Sequence, residues 1–307
     1  MLSTIDVEPG TVLMREGEPA SSFVLIVGGR AVVTREADEH DDVVGAADAG
    51  AIVGELALLR GTPRGATVTA EQRLTGLVGG VPAFAALLDA PGVGARVTRA
   101  ATQRMVAEVR AVTTRLRDEV PLWLRPMLPT DRTSLTEAIA RLSPESHRSR
   151  FFTLGPLSDR VLDYLVDLDF VDHFAWIVST QDEPGGPLIA SARYIRTTDD
   201  PATAEVAFGV SDEHQGRGIG TLLFGALSVA ARENGVDHFS ANVLAENGPM
   251  RGVLDKAGAS WTYGEPGVVT TLLAVPDPDE LIRDPATVEA LRTSTRQIMA
   301  AARVALA

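Results

Sequence analysis

The chain has 307 residues, 45% of them hydrophobic, with a formal net charge of −13 and no cysteine. At ~150 residues per domain, that length predicts about two domains. Without cysteine there are no disulfides, thiolate nucleophiles or Cys-ligated zinc sites. The acidic balance disfavours nucleic acid as a partner. No apolar run reaches the ~18 residues of a membrane helix, and the opening MLSTIDVEPG lacks a basic n-region and an apolar h-region, so a cytoplasmic protein without a membrane partner is expected. Lys256 is the single lysine among the 28 Lys+Arg residues. That count excludes a P-loop and leaves one position for Schiff-base chemistry.

Residues 11–15, 22–27 and 30–35 read as short strands, followed by an acidic loop over 36–48. Gly10, Gly17, the Gly28-Gly29 pair, Gly50 and Gly61 punctuate this stretch as in a small antiparallel barrel or jelly roll. From about Ala95 to Arg117 the apolar residues Val97, Ala101, Met105, Val109, Val112 and Leu116 fall near helical spacing with no Gly or Pro, which predicts one long exit helix. Pro121, Pro126 and Pro129 end it and mark a boundary. Residues 1–117 are therefore expected to form a first domain, 118–275 a second, and 276–307 a helical tail.

The second half alternates. Strands are expected at 122–125, 175–180, 188–196, 204–210, 238–243 and 268–275; helices at 134–142, 158–167, 221–234, 249–257 and 287–305. The fold class is thus α+β in two parts, a β jelly roll or barrel and then an α/β domain.

Two constellations carry chemistry. The first is Gly54-Glu55-Leu56-Ala57-Leu58-Leu59-Arg60-Gly61-Thr62-Pro63-Arg64-Gly65-Ala66-Thr67. It resembles the phosphate-binding cassette of cyclic-nucleotide-binding domains, in which G-E-[LI]-A-L precedes P-R-[AG]-A-T. Gly10-Thr11, Glu16-Gly17 and Gly29 fit the same family, over about residues 5–115. A cyclic phosphodiester presents one negative charge and two exposed oxygens, which arginine's planar fork suits. The resemblance implies that Arg64 takes the phosphate and Glu55 the ribose 2′-OH. A short helix over Glu55–Leu59, which includes Leu56 and Ala57, would offer N–H groups, and Gly54 and Gly65 would let the backbone approach. Gly65, where cGMP-selective members carry threonine, points to cAMP; Ala66 and Thr67 complete the site. The alternative reading of Glu55 and Arg64 is a surface ion pair. Family members usually begin with helices before the first strand, and this sequence starts almost at the strand, so those helices are expected to be either reduced or cut off by a truncated start. Arg96 and Arg99 are the candidates on the exit helix for capping adenine, with solvated face residues as the alternative.

The second constellation is Gln215-Gly216-Arg217-Gly218-Ile219-Gly220, between a strand-like run and the helical Thr221-Leu222-Leu223. Its spacing is not the dinucleotide G-x-G-x-x-G. It resembles the Q/R-x-x-G-x-G/A acyl-CoA loop of the GNAT acetyltransferases, whose domain has a mixed central sheet; glycines and free N–H groups at a helix start suit a pyrophosphate. Arg217 and Thr221 would add bonds to it, and Val210 would lie along the donor. Asn247, within Ala245-Glu246-Asn247 and ahead of Met250 and Lys256-Ala257-Gly258, resembles the family's second CoA segment. Glu205 sits where many members keep a base for the substrate ammonium; its alternative is an edge-strand glutamate facing water. Asp212 and Glu213 read as solvated. The tyrosine that some members use as general acid is absent, with Val253 and Leu254 in its region.

Leu142-Ser143-Pro144-Glu145-Ser146, Arg150-Phe151-Phe152 and the stretch from Asp169 to Ala175 resemble bacterial protein-lysine acetyltransferases of the Pat type. With the nucleotide domain first, the chain is similar to the mycobacterial cAMP-dependent members. That resemblance implies acetyl transfer from acetyl-CoA to protein lysines, relief of autoinhibition by cAMP, and acyl-CoA synthetases as substrates. Among the histidines (His40, His147, His173, His214, His238), His147 and His173 fall where one could plug a lysine channel, although surface or capping roles are the plainer reading. No H-E-x-x-H or similar cluster occurs, so no catalytic metal is expected. Lys256 is a candidate ligand contact and the internal position to which self-acetylation would map. Two other readings stay open: a cyclic-nucleotide sensor with a non-catalytic CoA-binding domain, and a small-molecule N-acetyltransferase.

Overall fold

The computed structural model describes residues 1–37, 42–116, 120–181 and 186–306. Two compact units divide the chain, Met1–Thr102 and Gln103–Arg303. In the first, short β-rich runs between glycine turns give β1 (Leu2–Val7), β2 (Val12–Met14), β3 (Ser22–Gly28), β4 (Arg30–Arg35), β5 (Asp42–Asp48), β6 (Ile52–Val53), β7 (Thr67–Ala70) and β8 (Leu74–Gly80). The helices are α1 (Glu55–Arg60), α2 (Val81–Leu88) and α3 (Val93–Ala107). The strands make two four-stranded antiparallel sheets, β1-β8-β3-β6 and β2-β7-β4-β5. Val24, Ile26 and Leu74 from one sheet meet Ala31, Val68 and Ala70 from the other in a shared core. This double-sheet arrangement is the expected jelly-roll class.

Two expectations are corrected. Residues 42–48 of the supposed acidic loop form β5, paired with β4 from Arg30↔Asp48 to Arg35↔Asp42. It is an edge strand with nearly every side chain exposed, so it carries no apolar alternation to read. His40 lies outside the described residues. The exit helix ends at Ala107 rather than Arg117. Residues Val112–Arg115 form a strand, β9, in which Val112 and Thr114 are buried and Thr113 and Arg115 exposed. Val-Thr-Thr is β-branched and favours that alternation; Arg117 lies outside the described residues.

The second unit continues with β10 (Pro121–Pro126), α4 (Arg132–Ala140), α5 (Pro144–Phe151), α6 (Asp159–Val166), β11 (His173–Ser179), β12 (Leu188–Arg196) and β13 (Thr203–Val210). After these come α7 (Ile219–Glu233), β14 (His238–Leu244), α8 (Gly248–Asp255), β15 (Thr262–Tyr263), β16 (Val268–Ala274), α9 (Pro278–Leu281) and α10 (Pro285–Leu306). The eight-stranded sheet has the order β15-β16-β14-β13-β12-β11-β10-β9. It is mixed, as expected, with one parallel neighbour pair, β13 and β14, among antiparallel ones. Beneath it α7 buries Leu223, Phe224, Ala226, Leu227 and Ala230, and the Trp176 indole donates to the Ala226 carbonyl at 3.1 Å. On β9, the Thr114 hydroxyl meets that of Thr287 on α10 at 2.9 Å, so the strand is tied into this unit.

The parallel pair positions the site. Its register runs through Thr203↔His238, Ala204↔Phe239 and Glu205↔Ser240 and then stops, although the strands continue to Val210 and Leu244. The two strands therefore part inside the sheet just beyond Glu205.

Candidate functional site

In the first unit the cassette folds around Arg64. Glu55 and Arg64 are 2% and 6% exposed, which removes the surface-ion-pair reading. The Arg64 guanidinium donates to the Gly54 carbonyl at 2.7 Å and to the Ser22 carbonyl. Burial lowers its pKa, opposed by the nearby charges of Glu18 and Glu55. Glu18 and Ser22 were not singled out from the sequence; they precede Gly54 by 36 and 32 residues, and the Glu18 carbonyl accepts from the Arg64 amide at 2.8 Å. Gly54 caps α1 at φ +84, and a Cβ there would stand 2.6 Å from Met14 and 2.7 Å from Arg64 Nη1. Gly65 has open space around it instead, and its carbonyl accepts from Arg35 Nε at 3.1 Å. Leu56 and Ala57 lie in the first turns of α1. Ala66 is half-buried, and the Thr67 hydroxyl accepts from the Glu16 amide at 3.0 Å. Arg96 is exposed, its Nε on the Gly92 carbonyl.

In the second unit a cleft of about 1140 Å³ opens where β13 and β14 part. Its wall includes Glu205, Val210, the whole Gln215–Thr221 loop, Asn247 and Lys256. Gly216 and Gly218 hold φ values of +72 and +94, and Gly218 is the N-cap of α7, so the loop turns its backbone into the helix start without a side-chain cap. Ile219 is buried and Arg217 and Gly220 half-buried. The Gln215 amide donates to the Val210 carbonyl at 3.2 Å and to the Ser146 hydroxyl at 3.0 Å. Asn247 Oδ1 caps α8 by accepting from the Met250 amide at 3.1 Å. The Lys256 ammonium donates to the Thr221 hydroxyl at 2.7 Å.

Glu205 sits on an interior strand, not an edge, and is exposed into the cleft, where the Asn242 amide donates to Oε1 at 3.2 Å. Asn242 was not foreseen, although its place is legible: it is the exposed residue between buried Ala241 and Val243.

Helix α5 forms one side of the cleft and was also not read as a helix, although Ser143-Pro144 is a strong start signal. Asp212, expected to be solvated, anchors it by accepting from the Ser143 amide at 2.9 Å, the Ser143 hydroxyl at 2.8 Å and the Ser146 hydroxyl at 2.6 Å. These donors hold the Asp212 carboxyl below the usual carboxylate range, with Ser146 the largest cause. Arg148 and Glu246 pair across the cleft.

Of the histidines, His214 lines the cleft beside the Ser211 hydroxyl at 2.9 Å, while His147 and His173 fall elsewhere. His147 meets the Thr153 carbonyl at 2.9 Å, and His173 is 5% exposed, stacked 5.0 Å from the Tyr164 ring. Neither lines the cleft among the described residues, and neither does any of the three tyrosines.

Comparison with known proteins agrees with both halves. Residues 4–90 match the family model of the cyclic nucleotide-binding domain, and residues 121–260 that of the acetyltransferase (GNAT) domain. Over 300 residues the chain is 38% identical to acetyltransferase Pat of Mycolicibacterium smegmatis, covering 98% of this chain and 90% of that one. A solved structure of a cAMP-binding acyltransferase from Mycobacterium smegmatis matches at 37% identity with a TM-score of 0.54, over 98% of this chain and 89% of the other. The nucleotide module is also 42% identical over 82 residues to a cAMP-dependent protein kinase regulatory subunit of Yarrowia lipolytica, 27% of this chain and 21% of that one. Its second unit is an acyltransferase domain, and with a cyclic nucleotide-binding module ahead of it the chain belongs to the family of acetyltransferase Pat.

Proposed function

We propose that this protein is a cAMP-regulated N-ε-lysine acetyltransferase that moves acetyl from acetyl-CoA to protein lysines, with acyl-CoA synthetases as the substrate class. The observation that carries the reading is a carboxylate, Glu205, at the point where β13 and β14 part, beside a glycine loop that opens α7. The loop N–H groups and the α7 dipole favour the donor's pyrophosphate, with Arg217 and Lys256 adding positive charge. A substrate lysine has a pKa of ~10.4 and arrives as ammonium. Glu205 takes the proton, and Asn242 holds one carboxylate oxygen in place. The amine lone pair then attacks the thioester carbon; the C–N bond forms, the C–S bond breaks, and the departing thiolate takes up a proton. With no cysteine in the chain, direct transfer is the route. In the first unit Arg64 takes the cyclic phosphate and Glu55 the ribose hydroxyl, and Gly65 favours cAMP. cAMP regulates to the extent that it binds the active state better than the inactive one.

The test is acetyl transfer to a purified acyl-CoA synthetase with and without cAMP. Glu205→Gln is expected to lose about 10²–10⁴-fold in rate. Arg64→Ala is expected to keep basal transfer and lose the cAMP response. Undiminished Glu205→Gln activity across pH overturns the base, and equal rates with and without bound cAMP overturn the switch. A second reading, a sensor that binds CoA without transfer, draws on the absence of a tyrosine from the described cleft wall. CoA binding with no transfer to any amine selects it.

A further inference from the structure

Beside the cleft lies a smaller cavity of about 40 Å³ that shares Leu142, Arg150, Phe151 and Gly209 with it. Its wall is otherwise largely apolar, yet it holds two guanidiniums, Arg150 and Arg193. Arg193 is 3% exposed. Its Nη1 donates to the Leu165 carbonyl at 2.9 Å and lies 3.0 Å from His173 Nε2; Nη2 is 3.7 Å from Met127 Sδ. Its Nε is buried with no hydrogen-bond partner. Arg150 is half-buried, with its Cζ 5.0 Å from the Phe151 ring centroid and its stem against Gly209.

Among the described residues neither arginine forms an ion pair; the carboxylate whose field reaches Arg150 is Glu205. Burial lowers Arg150 to about 10 and Arg193 to about 9, the neighbouring Arg150 charge adding to the second shift. A guanidinium as buried as Arg193, with a second one beside it and no carboxylate paired to it among the described residues, is unfavourable in an apolar wall unless an anion joins it.

We propose that Arg150 and Arg193 form a carboxylate subsite for the far end of a dicarboxylic acyl donor such as succinyl-CoA. The proposal rests on the reading of the cleft as an acyl-CoA site. The cavity has room for about three water-sized groups, the size of a carboxylate head rather than a sugar or a ring. Glu205, Ala207 and Gly209 alternate onto one face of β13, opposite Ile195, Arg193 and Ser191 of β12. Arg193 thus stands two residues, ~7 Å along the strand, from the rung that carries the base, a span on the scale of a four-carbon acyl group. An acetyl group leaves the pair untouched. The transfer itself is unchanged: an amide carbon–nitrogen bond replaces the thioester carbon–sulfur bond, CoA leaves as a thiolate that takes up a proton, the ammonium proton goes to Glu205, and the ω-carboxylate stays ionised throughout.

The experiment compares succinyl-CoA with acetyl-CoA on the full-length protein, as kcat/KM for transfer to one lysine substrate and as Kd by calorimetry. The wild type is expected to transfer succinyl groups. Arg150→Met and Arg193→Met are expected to lower the succinyl-to-acetyl ratio about a hundredfold, in kcat/KM and in affinity. Because the ratio is taken within each protein, a partial loss of folded material cancels, and the half-buried Arg150→Lys variant covers a failure of Arg193→Met to fold. Free succinate, offered without CoA, distinguishes a donor-borne carboxylate from a general anion site; tight binding of succinate with no preference for succinyl-CoA overturns the donor assignment. Acetyl transfer without succinyl transfer overturns the subsite and leaves the acyl-CoA reading intact. Failure of both donors to bind overturns that reading and the subsite with it.

Discussion

At the scale of single residues, Gly54 shows how tightly the cassette is built. Its positive φ suits glycine, and its missing Cβ makes room for Met14 and the Arg64 guanidinium. Gly54→Ala is expected to cost about 2–4 kcal/mol, combining left-handed backbone strain with overpacking. It is also expected to weaken cyclic-nucleotide binding by displacing Arg64. Urea denaturation and calorimetric titration with cAMP read the two effects separately. Much of this site was legible in the sequence because adjacent residues carry it. The sequence reading gave Gly54 a different reason, approach to a ligand, because the contact with Met14 spans forty residues. Arg193 was invisible for the same cause: nothing in Ala-Arg-Tyr marks it as a charge inside a sheet.

Among elements, α5 is the one whose placement rests most on polar contacts. It buries no side chain fully, and Asp212 receives the amide and hydroxyl groups at its start. The Asp212 carboxyl has a folded-state pKa below that of the unfolded chain. Its stabilisation is therefore present above the unfolded value of ~3.9 and lost as pH falls through the lower folded value. Asp212→Asn is expected to lower the melting temperature at pH 7, and the gap to wild type is expected to close below about pH 4. A gap that does not shrink as pH falls below about 4 contradicts this account. The long elements with strong periodicity, α7 and β11 to β14, were readable within a few residues. The edge strand β5, the short β9 and the polar α5 were not, because none of them shows the one-sided apolar pattern on which such reading depends.

For the whole molecule, the double-sheet unit and the eight-stranded unit each bury their own core. A ligand that binds one folded unit raises its stability by mass action, about 2.7 kcal/mol at a hundred times Kd. Saturating cAMP is thus expected to shift a melting transition of the wild type upward, and Arg64→Ala to abolish the shift. Calorimetric scans at rising cAMP concentration measure it. A cAMP-independent scan in a protein that still binds acetyl-CoA contradicts the assignment of the cassette. The order of modules was legible from two motifs. The place where the chain passes from one unit to the other was not: the expected helix runs ten residues too far, and a strand of the second sheet takes up the remainder.

The parting of β13 from β14 has one more consequence. Beyond Glu205 and Ser240 the two strands stop sharing rungs, so the sheet carries a pair of interior edges whose peptide groups face the cleft. Edges of that kind normally invite another strand. On the proposed reading of the cleft, a donor whose pantetheine arm carries its own amides would supply the missing rungs and close the sheet on itself. Deuterium uptake reads this directly: the alternate amides of residues 206–210 and 241–244 that face the gap rather than β12 or β16 are expected to exchange fast in the free protein and to slow when acyl-CoA is bound, while the fully laddered β11 and β12 change little.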